Sequence, residues 1–323
     1  MRVMLSTRTF RYAALVFFLL ASSFAAPTGF AKLALPPETP AILYKIYSFD
    51  IQEAVEAAKR MEQERPDQPL GYLLEAEALW WRIWCASADF KYGMTDARRR
   101  AKYGADRRYF ELAAKASSLA EAQSKQHETA EMQFYAGMAD AAAARLYALR
   151  GENRNAARAG VRARDHFIRA KALDTSLADA NMGLGLYNYY VDTLSAVARV
   201  LRFFMGIPGG SKQEGVRLLE QAIADGVLTP DLARFYLALN LHRYDQQYEK
   251  ALSVISPLAE KYPANPLFQL ARGDLYAKLG RKENALSCYR AAGALAVPDA
   301  ECHSRVRELV RVSVEALGLS SGH

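Results

Sequence analysis

The side chains able to do chemistry are scattered along this chain. His127, His166, His242, His303 and His323 stand singly, with neither a His-Glu-x-x-His pair nor the Cys/His spacing of a metal centre. There is no Gly-x-Ser-x-Gly elbow, and the acidic pairs fall on helix faces where ion pairs account for them. The segment Gly206-Ile-Pro-Gly-Gly-Ser-Lys invites a reading as a phosphate cradle. It lacks the Gly-x-x-x-x-Gly-Lys-Ser/Thr spacing, and no strand precedes it. Helix capping explains it better, because Ser211 with Glu214 three residues on is a capping box entered through Pro208 and two glycines. No catalytic residue, metal ligand or cofactor is therefore expected, and the chain reads as a non-enzyme.

Three other sets carry possible binding chemistry. Arg98, Arg99, Arg100, Lys102, Arg107 and Arg108 could receive phosphate, anionic lipid or an acidic partner. The alternative is a solvated loop and helix start, mixed as they are with Asp96 and Asp106. Trp80, Trp81 and Trp84 share one helix; an aromatic platform competes with core packing, in which Trp81 meets a neighbouring hairpin, and packing is preferred. Cys85, Cys288 and Cys302 are too few for a disulfide framework. A Cys288–Cys302 bridge is the sharper reading and three buried small apolar side chains the preferred one.

The elements that must position these residues are helices. From Tyr44 to about Glu315 apolar residues recur with helical spacing, Ala and Leu abound, and alternating strands are absent. Breaks at Pro66–Pro69, Lys91–Asp96, Ser124–His127, Gly151–Asn155, Asp174–Leu177, Gly206–Ser211, Gly226–Pro230, Asp245–Gln247, Tyr262–Pro266, Leu279–Arg281 and Val297–Pro298 imply eleven or twelve helices in antiparallel hairpins. A comb of small and aromatic residues repeats: Ala251 and Ala285 open equivalent helices, and the last copy carries Gly273, Tyr276, Ala285, Tyr289 and Ala292. Worn copies begin at Ala54, at Ala163 with Phe167 and Ala170, and at Gly215 with Leu219 and Ala222. Small residues mark close helix approach and aromatics fill the gaps. Gly183 and Gly185, costly inside a helix by about 1 kcal/mol each, are placed for the same reason.

Gly273, Tyr276, Ala285, Tyr289 and Ala292 resemble the tetratricopeptide repeat, a 34-residue helical hairpin. Residues 130–290, through DANMGLGLYNYY and GGSKQEGVRLLEQA, look like an exported bacterial group of such proteins. That group is distantly similar to a eukaryotic tetratricopeptide family of the mitochondrial outer membrane, inclusion-body clearance and lipid metabolism. The resemblance implies an all-α solenoid and a protein-interaction scaffold, with no catalytic residues to carry over.

Residues 1–31 read as a signal peptide: Arg2, Arg8 and Arg11 precede the 15-residue apolar run 12–26, too short for a comfortable span. Cleavage fits after Ala25 or Ala31, and Pro27 favours the second; an uncleaved anchor in the inner membrane is the alternative. Beyond it the expected order is an extended leader over 32–43, irregular repeats over 44–229, regular repeats over 230–317 and a flexible tail over 318–323. Losing residues 1–31 lowers the net charge from +7 to +4, which gives no argument for nucleic acid. The mature chain is expected in the periplasm or secreted.

In a tetratricopeptide array the first helix of each hairpin lines a concave groove. Its open positions here would be Ala233, Tyr236, Asn240 and Arg243, then Leu267, Leu270, Asp274 and Ala277, with Tyr187, Asn188 and Asp192 from the preceding helix. These offer rings, amides and charges to a protein or peptide of unknown identity. A peripheral membrane or lipid-associated role, through the basic 98–108 segment and the apolar helix 196–207, is the alternative.

Overall fold

In the computed structural model the chain divides into two units, Met1–Ala31 and Lys32–His323. The structure describes residues 33–194 and 208–318. The expected signal peptide, the apolar run 196–207 and most of the tail lie outside the described residues.

Among its described residues the second unit is all-α apart from one short hairpin. Its helices are α1 Thr39–Tyr47, α2 Ile51–Glu64, α3 Pro69–Ala86, α4 Asp106–Gln126, α5 Ala130–Arg150, α6 Asn153–Leu173 and α7 Ala180–Asp192. Then follow α8 Lys212–Asp225, α9 Pro230–Asn240, a π turn Leu241–Asp245, α10 Tyr248–Lys261, α11 Pro266–Lys278, α12 Lys282–Ala294 and α13 Ala300–Ala316. Among the described residues, consecutive helices pack on one another throughout, α7 with α8 and α8 with α9 included. The expected leader is shorter than 32–43, because Pro40 sits in the first turn of α1, where its fixed φ and missing N–H favour a helix start.

One expected break is a structure of its own. Strands β1 Ala88–Phe90 and β2 Thr95–Ala97 pair antiparallel with Asp89 opposite Asp96. Tyr92 (φ 58°) and Gly93 (φ 70°) supply the left-handed backbone its turn needs. Three-residue strands are too short to show alternation, so the sequence reading has only a break there.

The repeat comb packs as expected. A Cβ on Gly183 would lie 1.9 Å from the Phe167 ring, and one on Gly273 would lie 2.5 Å from the Tyr289 ring. Ser211 caps α8, its hydroxyl accepting from Glu214 N at 3.4 Å. The box is only half made: Glu214 turns to Arg217, and Ser211 N donates to Asn188 Oδ1 instead.

The helices fall into two kinds. α2, α6, α8, α10 and α12 each bury one narrow stripe, such as Ala54, Ala58 and Met61 of α2. By contrast α3 buries sixteen of its eighteen residues and α11 nine of thirteen. These inner helices meet. Trp81 of α3 is 0% exposed and packs on Tyr47 of α1, Phe235 of α9 and Phe268 of α11, with ring centroids 5.9, 4.8 and 5.3 Å away. All three tryptophans are core, as preferred. In a simple solenoid each repeat touches only its neighbours; here α3 also packs against α13.

A disulfide seals that contact. Cys85 of α3 is bonded to Cys302 of α13, 217 residues on, and Cys288 is a buried free thiol. This corrects both cysteine readings: the long-range packing of α3 on α13, invisible locally, chooses the pair. Thiol titration of the unfolded, unreduced chain should find one free thiol, with Cys85 and Cys302 joined in a peptide map. Cys85→Ser should lower stability by about 2–5 kcal/mol. Gly183→Ala should cost about 1–3 kcal/mol by overpacking against Phe167. Gly104→Ala, with nothing within 4 Å of the new methyl, should leave the melting temperature unchanged.

Candidate functional site

The positions expected to line an open groove are largely filled by the chain itself. Ala233, Asn240, Leu267, Leu270 and Asp274 are buried, and Tyr236 and Ala277 are half-buried. The reason is α3 and the β-hairpin, which occupy the inner face of α9 and α11. Thr95 N donates to Asp274 Oδ2 at 2.6 Å, and the Tyr289 hydroxyl donates to Asp274 Oδ1 at 2.9 Å. Arg243 Nη1 donates to Asp96 Oδ2 at 2.8 Å, with Arg98 3.4 Å from the same oxygen. The Tyr189 hydroxyl lies 3.0 Å from the Asn240 backbone carbonyl, and Asn240 is 2% exposed. The Tyr236 hydroxyl lies near Arg145 and Trp80 of the core. An extended peptide therefore has no free path over Asn240 and Asp274.

Tyr187, Asn188 and Asp192 hold the chain's own connection into α8. The Tyr187 hydroxyl donates to Pro208 O at 2.9 Å, and Lys212 N donates to Asp192 Oδ2 at 2.9 Å. Gly210 is needed there, because a Cβ would lie 2.7 Å from Asn188 O. These three residues position α8 on α7.

The inner face stays open at one edge, where α9 ends in the π turn. The extra residue in that turn sends His242 inward and Arg243 and Tyr244 outward. The Tyr189 hydroxyl donates to Asp245 Oδ2 at 2.6 Å, and Lys212 pairs with the same carboxylate, so the turn is anchored to α7 and α8. Tyr190 and Tyr244 are each 37% exposed, their rings 6.4 Å apart, and the Arg243 guanidinium lies 5.0 Å over the Tyr244 ring. The Tyr190 ring is open to solvent while its hydroxyl lies among Tyr236, Tyr244 and Asp96, where burial raises its pKa well above 10.0. Sequence reasoning found Arg243 here and missed Tyr190, Tyr244 and Asp96. The run Tyr187-Asn-Tyr-Tyr wraps around its helix and so had to present at least one ring outward.

The cations of the basic segment do not converge. Arg108 pairs with buried Glu75 at 2.5 Å, Arg98 with Asp96, Arg99 with Glu308 at 3.9 Å and Arg107 with Glu111 at 3.7 Å. Arg100 and Lys102 are exposed, with Arg100 against Gly151. Among the described residues no three His, Cys, Asp or Glu side chains are grouped to hold a metal ion. His242 is buried beside Lys278 and Arg98, and burial first, then those cations, lower its pKa to about 4. Asp179 was not foreseen as a structural acid: its carboxylate accepts from the backbone N–H of Val227, Leu228 and Thr229 and so fixes the turn into α9.

No family model matches this chain, and no curated protein matches it. Among solved structures, the crystal structure of the yeast Tom70 is similar over 87% of this chain and 89% of that one, at 10% identity and a TM-score of 0.29. A TM-score that low leaves the two chains without a shared superposition to argue from.

The docked hairpin has a pH signature. Burial raises the Asp274 pKa from 3.8 to about 7, against the opposing pull of its bonds from Thr95 and Tyr289. Between those values the folded chain keeps a proton that the unfolded chain has released, so this carboxyl makes stability fall as pH rises. Asp274→Asn should gain stability relative to the parent as pH goes from 5 to 8, read from urea midpoints. A difference independent of pH would show that Asp274 is already ionised at pH 5.

Proposed function

We propose that this protein is a non-catalytic interaction scaffold of the cell envelope that binds a protein partner at the edge of its inner face, through Tyr190, Arg243 and Tyr244. The observation that carries the reading is the exposed aromatic pair itself. The inner helices bury nearly every other large ring, yet here two tyrosines and a guanidinium stand together in solvent. Tyrosine and arginine dominate the energetics of protein interfaces, because they cover large areas with little conformational freedom to lose. Asn240 and Asp274 leave the site, and Arg243 stays with a different neighbour set.

Export is part of the proposal, as is kinship with the exported bacterial group. The basic, apolar N-terminus supports it, and so does the Cys85–Cys302 disulfide, since such bonds persist in oxidising compartments. No helix among the described residues is long and apolar enough to cross a membrane. The lipid-associated alternative draws no support from the basic segment, four of whose six cations are paired with acids.

Affinity capture from fractionated envelopes, followed by a titration with the partner recovered, tests this reading. The double change Tyr190→Ala and Tyr244→Ala should weaken binding at least tenfold, about 1.4 kcal/mol, with the melting temperature within a few degrees of the parent. N-terminal sequencing should place the start of the mature chain at about Lys32. Unchanged binding by the folded double variant would move the site elsewhere, and full-length protein in the cytosol would end the envelope assignment.

A further inference from the structure

The β-hairpin fills the inner face much as a bound peptide would. β2 runs extended between α3 and α11, and contacts open to any extended chain hold it there. Thr95 gives Asp274 its backbone N–H at 2.6 Å, and its hydroxyl bonds the same carboxyl. The next residue, Asp96, accepts from Arg243 of the π turn at 2.8 Å. Upstream, the Tyr92 carbonyl accepts from Lys278 Nζ at 2.6 Å. Met94, just before Thr95, is the one large apolar side chain of the hairpin that is fully buried; Phe90 is half-buried and Tyr92 is 76% exposed.

This hold is weak for so central a position. Two strands of three residues are marginal by themselves. Tyr92, a bulky residue, sits in the left-handed region at φ 58°, a conformation that costs it energy. Burial raises the Asp96 pKa in spite of Arg243 and Arg98 beside it, so sinking that carboxylate costs more than its ion pairs return. Where the hairpin meets the π turn, Arg98 Nε and His242 Nε2 are buried with no hydrogen-bond partner. The base is fixed by contrast. Ser87 O accepts from Arg98 N and Arg99 N, and Arg150 donates to Ser87 Oγ and Arg99 O. A blade clamped at its base and docked by polar contacts can swing out while the helices stay folded.

We propose that the hairpin is a built-in mimic of a ligand, and that an extended partner segment displaces it from α11 and the π turn. The segment carries an apolar, a hydroxyl and an acidic residue in succession, as Met94-Thr95-Asp96 does. Its backbone N–H takes Asp274, its acid takes Arg243, and a carbonyl upstream takes Lys278. The idea goes beyond the aromatic edge, since none of these contacts needs Tyr190 or Tyr244.

Native-state hydrogen exchange of the parent chain reads the opening. The Thr95 amide should exchange through a local opening, about a hundredfold or more faster than the Trp81 amide and with little response to low urea. A fluorescent peptide with the sequence of residues 88–98 reads the vacated face. The hairpin competes with it at an effective concentration of about millimolar, so the parent should bind it at least tenfold more weakly than a chain carrying Thr95→Pro and Asp96→Ala. Circular dichroism should show that chain to keep the parent's helix content. Adding Arg243→Ala to it should remove the gain, and a scrambled peptide should not bind. A Thr95 amide that exchanges only with global unfolding would show that the hairpin never leaves the folded chain, and the proposal would fall. Equal peptide binding by the parent and the opened chain, or equal binding of the scrambled peptide, would overturn it as well. None of these readouts uses the partner captured at the edge, so each reading can fail alone.

Discussion

Trp81 is the side chain on which the hairpins converge, and burying it sets off a chain of obligations. Its ring touches Tyr47, Phe235 and Phe268, so helices from the first hairpin and from the last two share one contact. Its indole N–H cannot be left unpaired there, and it donates to Glu77 Oε1 at 3.1 Å. A carboxylate at that depth needs a counter-charge, which Arg145 supplies at 2.6 Å from Oε2. Arg145 in turn lies 4.5 Å over the Trp80 ring and donates to the Tyr109 hydroxyl at 2.6 Å. Breaking a buried pair of this kind costs about 3–5 kcal/mol, because the remaining charge stays desolvated. α3 through α5 are thereby tied into one unit with the inner core.

The same closure decides what the inner face can offer. Solenoids of helical hairpins commonly present a concave surface because successive hairpins turn around a space they do not fill. Here the space is filled from within by α3 and by a hairpin whose strand β2 takes the backbone-to-carboxylate contact with Asp274. The bidentate Arg150–Asp106 pair, at 2.6 and 2.7 Å, locks the base of that hairpin, since Arg150 also donates to Ser87 Oγ and Arg99 O. The disulfide adds a covalent tie on the far side of Ser87. The inner surface is consequently a core, and recognition moves to its margins.

Much of the hairpin architecture was legible because it is local. Gly273 and Tyr289, or Gly183 and Phe167, lie within one hairpin's length, and the Ser211 cap within four residues, so spacing alone reports them. The closure was not legible in the same way. Thr95 meets Asp274 across 179 residues and Cys85 meets Cys302 across 217, and no period in the sequence links them. One signal did point to it. The stretch Ala76-Glu-Ala-Leu-Trp-Trp-Arg-Ile-Trp-Cys is apolar around nearly its whole circumference, and a helix of that kind is buried on every side. A groove helix with an open face could not carry it. Asn240 and Asp274 misled for a related reason: a polar residue at a groove position reads as a ligand contact, and equally serves as the partner of an internal strand.

The π turn shows how a surface survives such closure. Along α9 the regular period would keep turning successive positions into the core, as it does for Phe235, Leu239 and Asn240. Widening the last turn by one residue breaks that phase, so His242 goes inward and the next two residues come out. The inward position demands a neutral ring, since Lys278 and Arg98 already crowd it with positive charge, and a histidine with its pKa near 4 is neutral at any physiological pH. The outward position then places Arg243 where it can satisfy Asp96 at the hairpin and still lie across the Tyr244 ring. One carboxylate of the internal plug thus orients one cation of the exposed edge. The contact that shuts the groove is the same contact that builds the surface beside it.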